Sequence, residues 1–130
     1  MKLLDTNLIL RFLLKDDLKQ FNSARIIFEN PEENLYLNEL VVAEIIWVLT
    51  SFYKFSKEKA GEKIYYLLKL PTIETNRPLL MRTLYFYNNF NINFVDAYLV
   101  AFCEQNSLEG IYSFDKVLDK IKSIKRLKPV

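Results

Sequence analysis

The sequence contains no histidine, and that absence removes more chemistry than any other feature of its composition. Histidine is the commonest general base near neutral pH and the commonest transition-metal ligand. Without it there is no Ser-His-Asp or Cys-His nucleophilic apparatus, no ribonuclease chemistry run by a histidine pair, and no zinc site of the usual Cys/His kind. The one cysteine, Cys103, excludes an intramolecular disulfide and lies at a helix-like apolar position, where a thiol is an inert core group. Only two glycines are present, Gly61 and Gly110, so no glycine-rich loop can cradle a phosphate. No apolar run approaches the length of a membrane span. Asp5 breaks the N-terminal apolar stretch, and Arg11 and Lys15 flank the next one, which is not the pattern of a signal peptide. These features predict a cytoplasmic protein with no membrane partner. The formal charge of +2 is too small to predict a nucleic-acid partner by itself.

What is present is a chain of 130 residues, half of them apolar, which suits one domain spanning residues 1–130 with a real core. Lys2 to Asp5 reads as a short strand, and Asn7 to Leu14 as a helix. Asp16 or Asp17 caps a second helix that runs to about Asn30. Leu35 to Leu37 is a second strand. Asn38 caps a long apolar helix through about Tyr53, and Ser56 caps another with Ala60, Ile64, Leu67 and Leu68 on one face. Thr72 to Thr75 is a short strand, Asn76 opens a helix ending near Asn89, and a further helix covers Phe94 to Asn106. Ile111 to Ser113 is a strand, Asp115 to Lys122 a short helix, and Ile124 to Leu127 a last strand. Strands alternating with helices predict an α/β fold, a parallel sheet with helices on both faces. Strands covered on both faces would explain their unbroken apolar runs.

Four carboxylates interrupt these apolar elements: Asp5, Glu44, Asp96 and Asp115. An ionised carboxylate buried without a partner is prohibitively costly. Each has a local alternative to weigh. Asp5 and Asp115 precede helices and suit an N-cap; Asp96 suits a first helical turn, where the macrodipole welcomes an anion. Glu44 lies mid-helix and is expected to be buried, with Arg11 or Arg82 as possible neutralising partners. Glu39 is a first-turn acid of the same helix. One reason would serve all four acids, convergence on a divalent cation. Oxygen-only ligation selects Mg²⁺ or Mn²⁺, and such a site hydrolyses phosphodiesters without histidine. Asp5 and Asp115 both end predicted strands, the edge at which open α/β sheets bind ligands. A haloacid-dehalogenase-like site would need Asp-x-Asp where Asp5-Thr6-Asn7 stands, and a receiver domain would need adjacent acids there.

These segments resemble a known family. Leu3-Leu4-Asp5-Thr6-Asn7 with the following Leu8 to Leu13 is similar to the opening of PIN-domain ribonucleases, especially VapC-type toxins. Ala43-Glu44-Ile45-Ile46-Trp47 resembles their second acidic motif, Phe94-Val95-Asp96-Ala97-Tyr98 the third, and Ser113-Phe114-Asp115-Lys116 the fourth. The resemblance spans essentially the whole chain, in order. It implies a PIN-like three-layer α/β/α fold with a central parallel sheet. It also implies a metal-dependent endoribonuclease that hydrolyses RNA, with Asp5, Glu44, Asp96 and Asp115 as catalytic and metal-holding acids. Asn7 and Ser113 match supporting polar positions. Asn93 stands where many relatives carry a further Asp, which favours one Mg²⁺ (or Mn²⁺) over two. The resemblance further implies a homodimer and a cognate antitoxin protein. Two other readings remain open: a PIN nuclease of RNA processing or decay without an antitoxin, and a non-catalytic binding module.

The charge is uneven. Residues 116–130 carry Lys116, Lys120, Lys122, Lys125, Arg126 and Lys128 against Asp119 alone. A solvated helix face and tail is the plain reading of such a run, and a phosphate-tracking surface is the alternative.

Overall fold

The computed structural model describes all of residues 1–130, as two compact units, Met1–Arg77 and Pro78–Val130. In the first unit, β1 (Lys2–Leu3), β2 (Leu35–Tyr36) and β3 (Ile73–Glu74) form a parallel sheet in that order. Between them lie α1 (Thr6–Leu14), α2 (Leu18–Glu29), α3 (Glu39–Trp47) and α4 (Lys57–Leu68). Parallel neighbours need crossovers of this length, which is why paired helices separate the strands. The ladder extends past β1, because the Leu4 N–H donates to Tyr36 O at 3.0 Å. The chain therefore leaves the sheet edge at Asp5.

The caps follow the residue types. Asp17 accepts from the Gln20 N–H, Asn38 from Leu40, and Ser56 from Lys59, each quieting an orphan donor of a first turn. The interior is aliphatic and aromatic: Ile9, Ala24, Phe28, Leu37, Val42, Ile45, Leu49, Ile64 and Leu67 are all buried. The helix expected to run unbroken from Asn38 to Tyr53 does not. It is α-helical only to Trp47, then widens into a π-helical turn over Val48–Phe52, where the Tyr53 N–H reaches Val48 O. Lys54 follows at φ 59, so the chain reverses there at some conformational cost.

In the second unit, α5 (Arg77–Asn89) begins on the last residue of the first, and α6 (Phe94–Gln105) leads to β4 (Ile111–Tyr112), paired in parallel with β5 (Arg126–Leu127). The expected helix at Asp115 to Lys122 is a five-residue 3₁₀ turn, Lys116–Lys120, and the last strand is shorter than Ile124 to Leu127. Its buried core includes Leu80, Leu84, Phe86, Ile92, Phe94, Ala97, Val100 and Cys103. Burial pushes the Cys103 thiol above its ordinary range, as expected of an inert core cysteine. Mixed helices and parallel strands match the α/β expectation. Coverage of both strand faces does not hold at β1 or β4, since Leu3 and Tyr112 are exposed.

Gly110 is needed at the start of β4. A Cβ there would lie 2.5 Å from Lys125 O and 3.1 Å from the Leu127 Cγ. Gly110→Ala must therefore push β5 away from β4, and overpacking of this kind costs about 1–3 kcal/mol. Urea unfolding should show that loss as a lowered midpoint; an unchanged midpoint would mean that the β4–β5 pairing contributes nothing to stability.

Candidate functional site

Asp5 leaves a sheet edge at the start of α1, Asp96 lies in the first turn of α6, Asp115 precedes a 3₁₀ turn and Glu44 lies mid-helix in α3, so each unit carries two of the singled-out acids. In the first unit Asp5 occupies the N-cap of α1 with extended backbone (φ −91, ψ 149), yet its carboxylate makes no capping hydrogen bond. It is exposed, as is Asn7 one turn in. Both line an open cleft of about 440 Å³ with Arg11 and Lys19. The cap explanation, available to Asp5 from sequence, thus fails on geometry, and its carboxylate is left turned to solvent.

Glu44 corrects the sequence reading. It is exposed, not buried, and lies in one stripe of α3 with Leu40 (81 % exposed) and Trp47 (65 % exposed), four and three residues away. The buried stripe is Val42, Ile45 and Ile46. The helix is apolar on both faces, so a charged residue among apolar neighbours does not signal burial here. Neither candidate partner neutralises Glu44. Arg11 donates from Nη1 to both Asp16 oxygens at 3.0 Å and from Nη2 to the Tyr53 hydroxyl at 3.2 Å. Arg82 forms a fork with Glu104 at 2.7 and 3.1 Å. Glu39 is a first-turn acid, as expected.

In the second unit Asn93 is the N-cap of α6, and its side-chain oxygen accepts from the Asp96 N–H at 2.8 Å. That fixes Asp96 in the first turn, half-buried. Burial raises the Asp96 carboxyl above its ordinary range, the nearby Asp115 charge adds to the rise, and hydrogen bonding from Asn93 opposes it. Asp115 does act as a cap: its carboxylate accepts from the Val117 N–H at 3.0 Å, and Ser113 Oγ accepts from the Asp115 N–H at 3.0 Å. Ser113 is itself tied to β5, donating its N–H to Leu127 O. Ser113 and Asn93, the expected supporting residues, thus hold the backbone beneath two of the acids.

Within neither unit do three or more acids close into a group able to hold a metal ion. The donor chemistry nevertheless suits a hard cation, since all four acids offer carboxylate oxygens and none is ion-paired in a salt bridge. Burial first and the Asp115 charge second disfavour the ionised form of Asp96, and nearby positive charge would offset both. The raised Asp96 carboxyl gives a test without any metal. A folded-state carboxyl raised above its unfolded value of about 4 binds more protons in the folded protein, so stability falls as pH rises through the interval between the two values. In EDTA, Asp96→Asn should therefore melt at or above wild type at neutral pH, the difference closing as pH falls below the ordinary carboxylate range. A large loss of melting temperature at neutral pH would instead make Asp96 a structural acid of the first turn.

In an α/β architecture, acids at the ends of parallel strands lie at the edge where such sheets bind ligands, and their oxygens suit a hard cation. The chain belongs to the PIN domain family, whose model matches residues 2–124 and so runs through both units. PIN domains are typically nucleases and generally use divalent metal ions, which supports a hydrolase acting on nucleic acid. No curated protein matches the chain. No helix is long and apolar enough to cross a membrane.

Proposed function

We propose that this chain is a single-domain, Mg²⁺-dependent endoribonuclease toxin, neutralised by a cognate antitoxin, working in the cytoplasm as a homodimer. The observation that carries the chemistry is Asp96, fixed in the first turn of α6 by the Asn93 cap, half-buried, without a salt-bridge partner, and with its carboxyl raised by burial and then by the Asp115 charge. In this reading Asp5, Asp96 and Asp115 would hold the cation, directly or through water, and Glu44 would ligate or orient the attacking water, with deprotonation aided by the cation. Asn7, Asn93 and Ser113 position those groups. Water adds to the phosphorus in line, the bond from phosphorus to the 3′ oxygen breaks, and the departing oxygen gains a proton, leaving 5′-phosphate and 3′-hydroxyl ends. When bound, Mg²⁺ (or Mn²⁺) supplies the positive charge that offsets the phosphate and lowers the pKa of water.

Two surfaces of the first unit support the partners. A cleft of about 480 Å³ is lined by Phe12, Phe21 and Tyr66 and edged by Lys15, Arg25 and Glu62. Phe12 stacks with both other rings, at 6.0 and 6.2 Å between centroids. An aromatic floor with a charged rim suits the apolar face of an antitoxin helix. The exposed Leu40, Trp47 and Phe52 of α3 and the π turn suit a second copy of the chain.

The test is incubation of structured and single-stranded RNAs with the protein and Mg²⁺, with and without EDTA, followed by end analysis. Cleavage that survives chelation would end the metal reading. Growth arrest on expression, relieved by a protein encoded in the adjacent short reading frame, separates the toxin from a nuclease of RNA processing.

A further inference from the structure

Two of the most exposed large side chains in the protein flank one serine. Tyr112 is 75 % exposed and Phe114 is 82 % exposed, and neither ring touches another aromatic ring or a cation. Both rings sit on a pinned backbone. Ser113 between them is in the ladder with β5. Arg126 donates from Nη1 to Ser113 O at 2.9 Å while its Nε and Nη2 clamp Asp119 at 2.8 and 3.2 Å. Asp115, directly after Phe114, is held from both sides by Ser113 and Val117. At a strand rise of about 3.3 Å per residue, the two Cα atoms are at most ~7 Å apart, room for two separate planar groups.

The surrounding charge says what would cover these rings. The segment from Lys116 to Val130 carries six cations against one acid. Arg126 takes up that acid as its ion-pair partner, and Lys120, Lys125 and Lys128 are exposed and form no ion pair. A second copy of this chain, of net charge +2, gains nothing from that excess, and an acidic helix would gain from the cations alone, whereas a polyanion with planar, apolar faces gains from both features. We propose that Tyr112 and Phe114 are a stacking platform for two unpaired bases of the RNA substrate beside Asp115, with Lys120, Lys125 and Lys128 meeting its phosphates. Base–aromatic stacking tolerates any sequence, and exposed lysines meet any phosphate, so the platform positions a single-stranded or looped segment without reading bases. This rests on the RNA-cleaving function proposed above.

The experiment uses the full chain in EDTA, where RNA stays intact, and follows anisotropy of a labelled single-stranded RNA of mixed sequence. Tyr112→Leu and Phe114→Leu keep an apolar side chain but lose the ring face. Each should weaken binding by about 5- to 100-fold, the range of one stacked base, with melting temperature unchanged. Phe114→Trp should retain affinity and show indole quenching on RNA addition that wild type lacks. Replacing Lys120, Lys125 and Lys128 together by Ala should lower the slope of log K against log salt by about two. A wild-type protein that neither binds nor cuts RNA would overturn the proposed function and the platform with it. Wild-type binding and cleavage with undiminished affinity in both leucine variants would overturn the platform alone. So would leucine variants that keep RNA affinity but change the sedimentation mass, since the rings would then be a protein contact.

Discussion

Asp5→Asn should lower kcat/KM for RNA cleavage by about 100-fold or more, with the melting temperature within about 2 °C of wild type. Both halves of that result follow from the same geometry. Asp5 is exposed and its carboxylate accepts no capping hydrogen bond, so the fold draws little from its charge. Asn serves equally well at an N-cap, and surface changes of this kind stay within about 0.5 kcal/mol. A carboxylate that holds the cation is different, because the ion contributes several kcal/mol of charge stabilisation in the transition state and each 1.36 kcal/mol is tenfold in rate. Asp115 makes a poorer first probe. Its carboxylate also caps the 3₁₀ turn through the Val117 N–H, so Asp115→Ala would lose about 1 kcal/mol of capping along with any ligand. Cleavage by Asp5→Asn within threefold of wild type would remove Asp5 from the cation site.

The contrast between Asp5 and Asp115 marks the limit of what the chain reveals by itself. Both follow an apolar strand and precede a helical turn, and the sequence gives them equal claim to a cap. Only the folded geometry separates them: the Asp115 carboxylate accepts from the Val117 N–H, and the Asp5 carboxylate accepts no capping hydrogen bond. Caps were legible where a Ser, Asp or Asn opens an apolar periodic run, as at Asp17, Asn38 and Ser56. The exposure of Glu44 was not legible. Leu40, Val41, Trp47 and Val48 surround it in sequence with apolar residues on every side of the helix, so periodicity gave no inside and no outside. The π turn was hidden for a related reason, since an extra residue per turn leaves no mark of composition. The places of Asp5, Asp96 and Asp115 were legible, because strand ends and helix starts carry clear residue signals.

Phe86→Ala should be among the most destabilising single truncations in the second unit, costing about 3–5 kcal/mol. Phe86 is 2 % exposed. Its ring lies 6.0 Å from Phe90 and 5.3 Å, edge-on, from Tyr85, and the Arg82 guanidinium sits 4.4 Å above it. Truncation therefore leaves a cavity and strips one face from an arginine already held by Glu104. Against a typical total of about 5–15 kcal/mol, such a loss lowers the melting temperature by roughly 10 °C or more. Phe86→Leu should recover part of it, because leucine refills some of the space that alanine leaves empty. The same two substitutions at Phe114 should leave the melt unmoved, since that ring packs against nothing aromatic and is already in water. Thermal melts of the four variants side by side thus test both assignments: equal losses at the two positions would mean that Phe114 packs into the fold, and no loss at Phe86 would mean that the core of α5 is not where these contacts put it.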